Sequence, residues 1–430
     1  MDWSIDVPLI KLTCFPPASD RNTIAAHPGA TDDAVDPNFL TNHLRAPPPY
    51  VTPGGVSVYW HQVTQVTQAG THEKKMYKPA ATGLTRLSEA LYGELTPISS
   101  SIFHIDGIPA VVPESQKAVL RKRHGVRPGE PDHLVFIDHH SSPPTHFPDD
   151  TLCSVKDCPD LIAVYHPEDF TQTDGVYSLV PYHRVEGIVE AKPKHKGGGR
   201  AQAASYAYRH QQARPDHPMV YCLVIKPEGY QVILSSPNGI VASPMTPWLD
   251  DRLLVAYIYS HYYPPRDHFL VDETITWSPG PRPEDVPFWS IRFVGRDYTR
   301  GTFLFIGEPW GRRTTVLLEF DKNGNAIVIK ETYRHFKRRF KEEDILRHIH
   351  GDGDVPGVVR LFDAERVKTD NKILQCGSKG AGTLRVKHRL ALCDYGDRLS
   401  EAKSVNDLLE AIYDALEGEF HYVTSDIAQG

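Results

Sequence analysis

The sequence predicts an α+β protein with more than one domain, and three observations support this prediction. The chain of 430 residues is longer than the roughly 100 to 200 residues of an ordinary single core. Its hydrophobic fraction of 40% and charged fraction of 23% are typical of globular proteins. Helical and strand-like hydrophobic periods both occur on either side of a proline-rich segment. We therefore expect two folded domains joined by a Pro-rich linker at 271–290.

The composition predicts a protein of the cell interior. No run approaches the roughly 18 consecutive apolar residues of a membrane helix, so no membrane partner is expected. The first residues, Met1, Asp2 and Trp3, lack the basic and then apolar pattern of a secretory signal. The six cysteines are scattered without a framework, which is typical of free thiols in the cytoplasm or nucleus. The net charge of -7 argues against non-specific coating of nucleic acid, although a local basic patch could still bind it.

Local periodicity predicts the elements of the first domain. Residues 13–55 are dense in Pro, Asp, Asn and Thr without a regular period, which predicts a flexible Pro-rich arm at 1–55. Leucines recur at helical spacing over 82–95 until Pro97 ends the pattern, and this helix opens a domain at 80–270. The other expected elements are strands at 134–137, 161–165, 185–191, 220–225 and 231–234 and helices at 200–212 and 247–262.

Two acids and a lysine fall at the ends of strands in this domain. Asp160 opens one strand-like run, and Glu190 and Lys192 close another. Such a set could bind Mg²⁺ and position a water molecule for attack on a phosphodiester. The alternative interpretation is that these are charged residues at a strand exit, followed by a solvated basic loop over 192–200.

These residues resemble the PD...ExK arrangement of restriction-endonuclease-like nucleases. Pro159 and Asp160 match the first element, and Glu190, Ala191 and Lys192 match the second. The resemblance implies a restriction-endonuclease-like α/β core with a metal site made by Asp160 and Glu190, and with Lys192 beside it.

The next helix strengthens this resemblance. Gln202 and Tyr206 are similar to the Q-x-x-x-Y element found in one branch of that superfamily. Glu89 or Glu94, on the first helix, could add a third acid to the site.

The second domain, at 291–430, is expected to begin with three short strands. They lie at 303–306, 314–320 and 326–329, and the last two are joined by a turn at 321–325. Lys330 closes the third strand, among β-branched neighbours that should be buried. A buried ammonium requires a partner or an anionic ligand.

A helix is expected at 333–350, and its spacing places one acid, Glu342, in its apolar stripe. The stripe consists of Ile345, Leu346 and Ile349. Glu342 can neutralise Lys330 and leave the lysine directed at a ligand phosphate. Protein kinases use this pairing to orient ATP.

The run at 326–346 resembles the fungal-type protein kinase family, in which a strand ending in lysine precedes a helix that reads roughly Glu-x-x-Ile-Leu. Residues 342–346 read Glu-Glu-Asp-Ile-Leu. In the same comparison, 355–359 is similar to the turn into the fourth strand, 390–396 to the fifth strand and hinge, and 404–416 to the first helix of the second lobe.

The resemblance implies an ATP-binding lobe with a five-stranded antiparallel sheet and one helix, followed by the start of the second lobe. It also implies ATP and Mg²⁺ as cofactors and a protein as substrate or partner. The residues that it assigns to nucleotide binding are Lys330, Glu342, Gly307, Gly311, Cys393 and Asp394.

The sequence departs from the kinase pattern in two ways. The segment 307–314 has two glycines where a kinase loop carries G-x-G-x-x-G. The His-Arg-Asp catalytic loop and the Asp-Phe-Gly metal site are missing, and Asp426 is the one residue that could match the catalytic aspartate. We therefore expect impaired or absent phosphotransfer.

Three functions remain open at this point. The first is an ATP-binding member of the kinase family, and the second is a Mg²⁺-dependent nuclease-like enzyme. The third is a non-catalytic interaction protein, because an isolated ATP-binding lobe exposes apolar surface that recruits a partner. Lys330 and Glu342 could also be an ordinary ion pair of an unrelated domain.

Overall fold

The computed structural model shows two compact units, one formed by 1–271 with 281–285 and the other by 272–280 with 286–430. Both combine sheets with few helices, so the predicted α+β class is confirmed. None of the described helices is long and apolar enough to cross a membrane. The residues that the structure describes are 35–44, 65–69, 72–92, 112, 114–124, 133–138, 159–165, 172–173, 176–177, 182–194, 197–263, 271–278, 287–351, 353–355, 357–369, 371–377, 383–395, 403–406, 409 and 412–413.

The first unit contains five of the described helices and nine short strands. The helices are α1 (Phe39–His43), α2 (Lys74–Tyr92), α3 (Glu114–His124), α4 (Gly199–Ala213) and α5 (Arg252–Tyr262). The strands are β1 (Val135–Asp138), β2 (Leu161–Val164), β3 (Gln172–Thr173), β4 (Val176–Tyr177), β5 (Gly187–Ala191), β6 (Val220–Lys226), β7 (Gly229–Ser236), β8 (Gly239–Ala242) and β9 (Thr246–Pro247).

A seven-stranded sheet forms the centre of this unit, in the order β1-β2-β5-β6-β7-β8 with β9 paired to β7. β5 and β6 are parallel, and the other neighbouring pairs are antiparallel. A parallel pair needs a long crossover, and α4 supplies it. Ala203, Ala204 and Ala207 of α4 are fully buried, because small side chains let the helix approach the sheet. The end of β5 and the start of α4 therefore share one edge of the sheet.

Two predictions for the first unit are wrong in part. The opening helix begins at Lys74 and not at 82, and it contains Pro79. Met76 and Tyr77 are buried and extend its apolar face towards the N-terminus. Within the arm predicted to be flexible, Phe39 is buried and Asp36 N–H donates to the Ala242 carbonyl at 2.8 Å. Residues 1–34 and 45–55 lie outside the described residues.

The second unit is built on an eight-stranded antiparallel sheet in the order β10-β11-β12-β13-β14-β19-β15, with β18 paired to β19. The strands of this sheet are β10 (Ile275–Ser278), β11 (Phe288–Phe293), β12 (Arg296–Ile306), β13 (Thr315–Phe320), β14 (Ala326–His335), β15 (Leu361–Arg366), β18 (Gln375–Cys376) and β19 (Arg385–Leu392). A separate hairpin joins β16 (Lys368–Thr369) to β17 (Lys372–Ile373), and helix α6 (Glu342–Ile349) follows β14.

This sheet differs from the predicted one. Eight strands replace the expected five. β10 and the start of β11 form within 271–290, the segment predicted to be a linker, and β18 pairs with β19 as the third additional strand. β14 continues past Lys330 to His335, where the sequence predicts a helix from residue 333. Pairing with β19 holds these residues extended, since Tyr333 lies opposite Lys387 and His335 opposite Arg385. A local helical pattern cannot reveal that partner strand.

Helix α6 packs on one face of the sheet through an apolar cluster. The cluster consists of Leu318, Val328, Leu346 and Leu392, with Leu304, Val316, Phe320, Val358 and Leu361 partly buried against it. Glu343 and Leu346 are the buried residues of the helix, whereas Ile345 is exposed. The acid that faces the sheet most closely is therefore Glu343, and the predicted position of Glu342 in an apolar stripe is wrong.

Candidate functional site

The first candidate site lies at one edge of the sheet in the first unit. Asp160 immediately precedes β2, Glu190 belongs to β5, and Lys192 follows β5 by one residue. β2 and β5 run antiparallel with Leu161 opposite Val189, so the start of one strand meets the end of the other. The structure thus brings together the three residues singled out in the sequence.

Hydrogen bonds and ion pairs connect this cluster. The Ala191 N–H donates to Asp160 Oδ2 at 2.7 Å. Lys192 Nζ forms an ion pair with Glu190 Oε1 and lies 4.0 Å from Glu73 Oε1. The Tyr77 hydroxyl donates to Glu73 Oε1 at 3.1 Å. Together these residues form the acid–lysine cluster, defined as Glu73, Tyr77, Asp160, Glu190 and Lys192.

Burial dominates the electrostatics of the acid–lysine cluster. Glu190 is 0% exposed and Asp160 is 4% exposed. Burial and the nearby charge of Asp160 raise the pKa of Glu190 to about 9. Burial also raises the pKa of Asp160, against the opposing effect of the Ala191 N–H. Burial acts to lower the pKa of Lys192, but the negative charge of Glu190 outweighs it and raises that pKa.

Glu190 is the residue of this cluster that best fits a cation. Its Oε1 contacts the Lys192 ammonium, whereas its buried Oε2 accepts no hydrogen bond from a described residue. A buried carboxylate oxygen without a partner is costly, and a metal ion would supply the missing contact. No group of three His, Cys, Asp or Glu side chains in the described ranges is arranged to hold a metal. Mg²⁺ needs fewer protein side chains than three, since one or two carboxylates plus water molecules often bind it.

The helix after β5 completes the surroundings of the cluster. Gln202 Nε2 donates to the Tyr206 hydroxyl at 2.7 Å, and burial followed by the charge of Glu190 raises the pKa of Tyr206. Gly199 starts α4 directly against Lys192, where a Cβ atom would lie 2.9 Å from Lys192 Cγ. A larger residue at position 199 would displace the lysine.

Sequence reasoning missed Glu73 and Tyr77. The predicted third acid, Glu89, instead forms an ion pair with Arg86 at 2.7 Å and lies 3.6 Å from His133 Nε2. The other suggestion, Glu94, lies outside the described residues. The apolar positions Met76 and Tyr77 would have extended the predicted helix and placed Glu73 at its start.

The second candidate site lies on the sheet of the second unit. Lys330 Nζ donates to Glu342 Oε1 at 2.6 Å, so the predicted pair is formed between β14 and the first residue of α6. Next to it, Arg334 forms an ion pair with Glu343 and lies 4.0 Å from Glu342 Oε2. Lys330 and Glu342 keep side-chain exposures of 26% and 35%, so a ligand in solution can reach the pair.

The surface beside Lys330 is apolar. Val328 precedes Lys330 by two residues and therefore shares its face of the strand. Across the sheet, Val316 lies opposite Lys330 and Leu392 lies opposite Val328. All three belong to the cluster under α6, and Val316 is only partly buried there. An ammonium group thus lies beside a buried apolar cluster of which Val316 is a partly buried member.

The two glycines predicted to line a phosphate loop lie in the connection between β12 and β13. Gly307 N–H donates to the Thr314 carbonyl at 2.8 Å and closes the base of this loop. Gly311 has a φ of +88°, in the left-handed region that glycine adopts without strain. Trp310 and Arg313 of the same loop are buried.

The predicted hinge is tied to the turn before β15. The Cys393 N–H donates to the Arg360 carbonyl at 2.9 Å. Arg360 holds the Asp394 carboxylate with Nε at 3.1 Å and Nη2 at 2.7 Å from Oδ1, which lowers the pKa of Asp394. The Asp394 side chain is therefore committed to Arg360, a partner that the sequence did not reveal. Asp426 lies outside the described residues.

Comparisons of the chain with protein-family models, with curated proteins and with solved structures gave no match.

Proposed function

We propose that the second unit binds ATP through Lys330, as the ATP-binding lobe of a protein kinase does. The observation that carries this proposal is the ion pair between Lys330 and Glu342 at 2.6 Å. In kinases a strand lysine contacts the nucleotide phosphates, and a glutamate on the following helix orients it. Here too the helix that supplies the glutamate follows the lysine strand directly.

The surroundings of Lys330 are consistent with a nucleotide. Glu342 offsets one positive charge and directs the ammonium group, which remains able to donate to phosphate oxygens. The adenine ring packs against the partly buried Val316 beside Lys330, since Val328 and Leu392 are covered by α6. Mg²⁺ enters with the nucleotide and neutralises phosphate charge. We propose binding of the nucleotide and not phosphotransfer.

Calorimetric titration with Mg²⁺-ATP tests this proposal. Lys330→Met should weaken binding about 10- to 100-fold, because a charge-assisted hydrogen bond to phosphate contributes roughly 1.5 to 3 kcal/mol. Lys322→Met is the matched control, since Lys322 is exposed in the turn between β13 and β14. Equal affinity of the wild-type chain and Lys330→Met would overturn the proposal.

We infer a second function for the first unit, the Mg²⁺-dependent hydrolysis of phosphodiesters. The observation in its favour is Glu190, a fully buried carboxylate beside Asp160 whose Oε2 has no hydrogen-bond partner among the described residues. Asp160 and Glu190 would hold the ion together with water molecules. When bound, Mg²⁺ polarises the phosphoryl oxygen and lowers the pKa of a bound water molecule.

The remaining residues of the cluster would assist this reaction. The Ala191 N–H orients the Asp160 carboxylate through their hydrogen bond of 2.7 Å. Lys192 supplies the positive charge that stabilises a developing phosphorane or orients the attacking water. Gln202 and Tyr206, joined at 2.7 Å, form the wall on the side of α4.

Incubation with labelled single-stranded and duplex oligonucleotides tests the second function. Cleavage should appear with millimolar Mg²⁺ and disappear when the ion is chelated with EDTA, since the carboxylates alone cannot activate water. The variant Glu228→Gln, in the exposed turn between β6 and β7, should cleave like the wild type. Cleavage that persists in EDTA, or none with Mg²⁺, would contradict this function.

A further inference from the structure

Lys192 lies at one of the two oxygens through which Glu190 could bind a cation. Its ammonium is in ion-pair contact with Glu190 Oε1, and Oε2 has no partner among the described residues. Mg²⁺ held by Asp160 and Glu190 Oε2 would lie beside this ammonium, and the low dielectric of the site screens the repulsion between the two cations only weakly. Binding of Mg²⁺ at Asp160 and Glu190 therefore favours movement of the ammonium away from Glu190.

The packing around Lys192 leaves its ammonium few alternative positions. The Lys192 side chain is 9% exposed, and α4 begins against it at Gly199. A retreat into water is thus blocked by packing. Among the described carboxylates, Glu73 is the second one within ion-pair range, with Oε1 at 4.0 Å from Nζ. A rotation about the terminal bonds of the lysine would convert this separation into a hydrogen bond of about 2.8 Å.

A hydrogen bond orients the Glu73 carboxylate for this contact. The Tyr77 hydroxyl, one helical turn further along, donates to the same oxygen, Oε1, at 3.1 Å. Tyr77 is buried, and its hydroxyl also lies within hydrogen-bonding reach of Asp160, so its single proton is shared between Glu73 and one of the two proposed ligands. The Glu73 side chain is 25% exposed, which makes its charge less costly than that of Glu190.

We propose that Glu73 is a positioning residue that receives the Lys192 ammonium when Mg²⁺ binds Asp160 and Glu190. This inference rests on the proposed metal-dependent function of the first unit. It assigns Glu73 to the lysine and not to the metal. When Mg²⁺ is bound, the Lys192 ammonium lies beside Glu73. It is then close to the ion but no longer paired with Glu190.

A double-mutant cycle on Mg²⁺ affinity tests the proposal, with calorimetry as the readout. Lys192→Met should bind Mg²⁺ about tenfold more tightly than the wild type, because no ammonium has to be displaced. Glu73→Gln alone should bind about five- to tenfold more weakly, because the displaced ammonium loses its acceptor. In the Lys192→Met background, Glu73→Gln should change the affinity less than about twofold.

Three results would overturn the inference. If Glu73→Gln weakened Mg²⁺ binding equally in both backgrounds, Glu73 would be a metal ligand. If it weakened Mg²⁺ binding in neither background, Glu73 would have no role at this site. A wild-type chain that binds no Mg²⁺ would overturn the proposed metal site and this inference with it. If Lys192→Met does not fold, as judged by circular dichroism, Lys192→Gln takes its place in the cycle. Glu228→Gln serves as the control for a general charge effect.

Discussion

Replacing Asp160 by asparagine is expected to reduce Mg²⁺-dependent phosphodiester cleavage by about a thousandfold, since it removes one of two carboxylates proposed to hold the ion. The amide oxygen of asparagine can still accept the Ala191 N–H, which now donates to Asp160 Oδ2 at 2.7 Å. The local fold should therefore persist. The substitution also removes the charge that helps to raise the pKa of Glu190, so stability at neutral pH should not fall.

Initial rates on a labelled oligonucleotide, measured at several Mg²⁺ concentrations, check this expectation. The matched control is Glu228→Gln, which removes a carboxylate from the same unit at an exposed turn and should keep the wild-type rate. Thermal unfolding by circular dichroism separates loss of chemistry from loss of fold. A rate for Asp160→Asn within threefold of the wild type would exclude Asp160 from the reaction.

Much of the first unit was predictable because its elements are short and strongly apolar. β6 is buried along nearly its whole length, and the sequence predicts it within one residue. Asp160, Glu190 and Lys192 were predictable as a set because each lies at a strand end. The pairing of β2 with β5 then brings them together.

Glu73 was not predictable in the same way. It precedes a helix whose start depends on burial of Met76 and Tyr77, and Pro79 in the first turns interrupts the local helical signal. Its approach to Lys192 depends on how α2 lies against the sheet, which no local pattern encodes.

The second unit shows a different limit of sequence reasoning. The pairing of Lys330 with Glu342 was predictable from their order along the chain, and the structure forms it. The residues of the helix that face the sheet were not predictable. Residues 333–335 are held in β14 by β19, and the helix starts only at Glu342. β10 and β11 were hidden by the prolines around them, although Trp289 and Ile291 are almost fully buried.

The charged core of the second unit was the least predictable feature. Charged residues at alternate strand positions are ordinarily taken as solvent-facing. Here Glu331 of β14 lies opposite Arg389 of β19 on a face that is closed to water. Glu319 is also buried there, and burial with the charge of Glu331 raises its pKa to about 9. Only the observed order of the strands shows that this face is an interior.

Arg389 is the centre of this charged core. It is fully buried, and its Nε donates to Glu331 Oε1 at 2.8 Å. Its Nη1 donates to Glu365 Oε1 at 3.1 Å and to the Arg292 carbonyl at 2.8 Å. Lys387 supplies the second cation, with Nζ at 2.6 Å from Asp272 Oδ2 and 3.0 Å from Glu331 Oε2. Burial alone would raise the pKa of Asp272, but Lys387 and Arg389 lower it.

The substitution Arg389→Met is therefore expected to destabilise the second unit by about 3 to 5 kcal/mol, because it leaves buried carboxylates with too few cations. Denaturant unfolding followed by tryptophan fluorescence, to which the buried Trp289 of this unit contributes, measures this loss. Arg292→Met is the matched control, since its ion pair with Asp297 is exposed and contributes at most about 1 kcal/mol.

A compensating substitution separates loss of charge balance from loss of packing. In Arg389→Met combined with Glu331→Leu, Lys387 still neutralises Asp272 at 2.6 Å, and Glu365 retains some contact with water. Replacing both partners of a buried pair by apolar residues is far less costly than removing one of them. The double variant should therefore be more stable than Arg389→Met by roughly 1 to 3 kcal/mol. A double variant less stable than Arg389→Met would show that Glu331 does not require the charge of Arg389 and is neutralised sufficiently by Lys387, whose Nζ lies 3.0 Å from Glu331 Oε2.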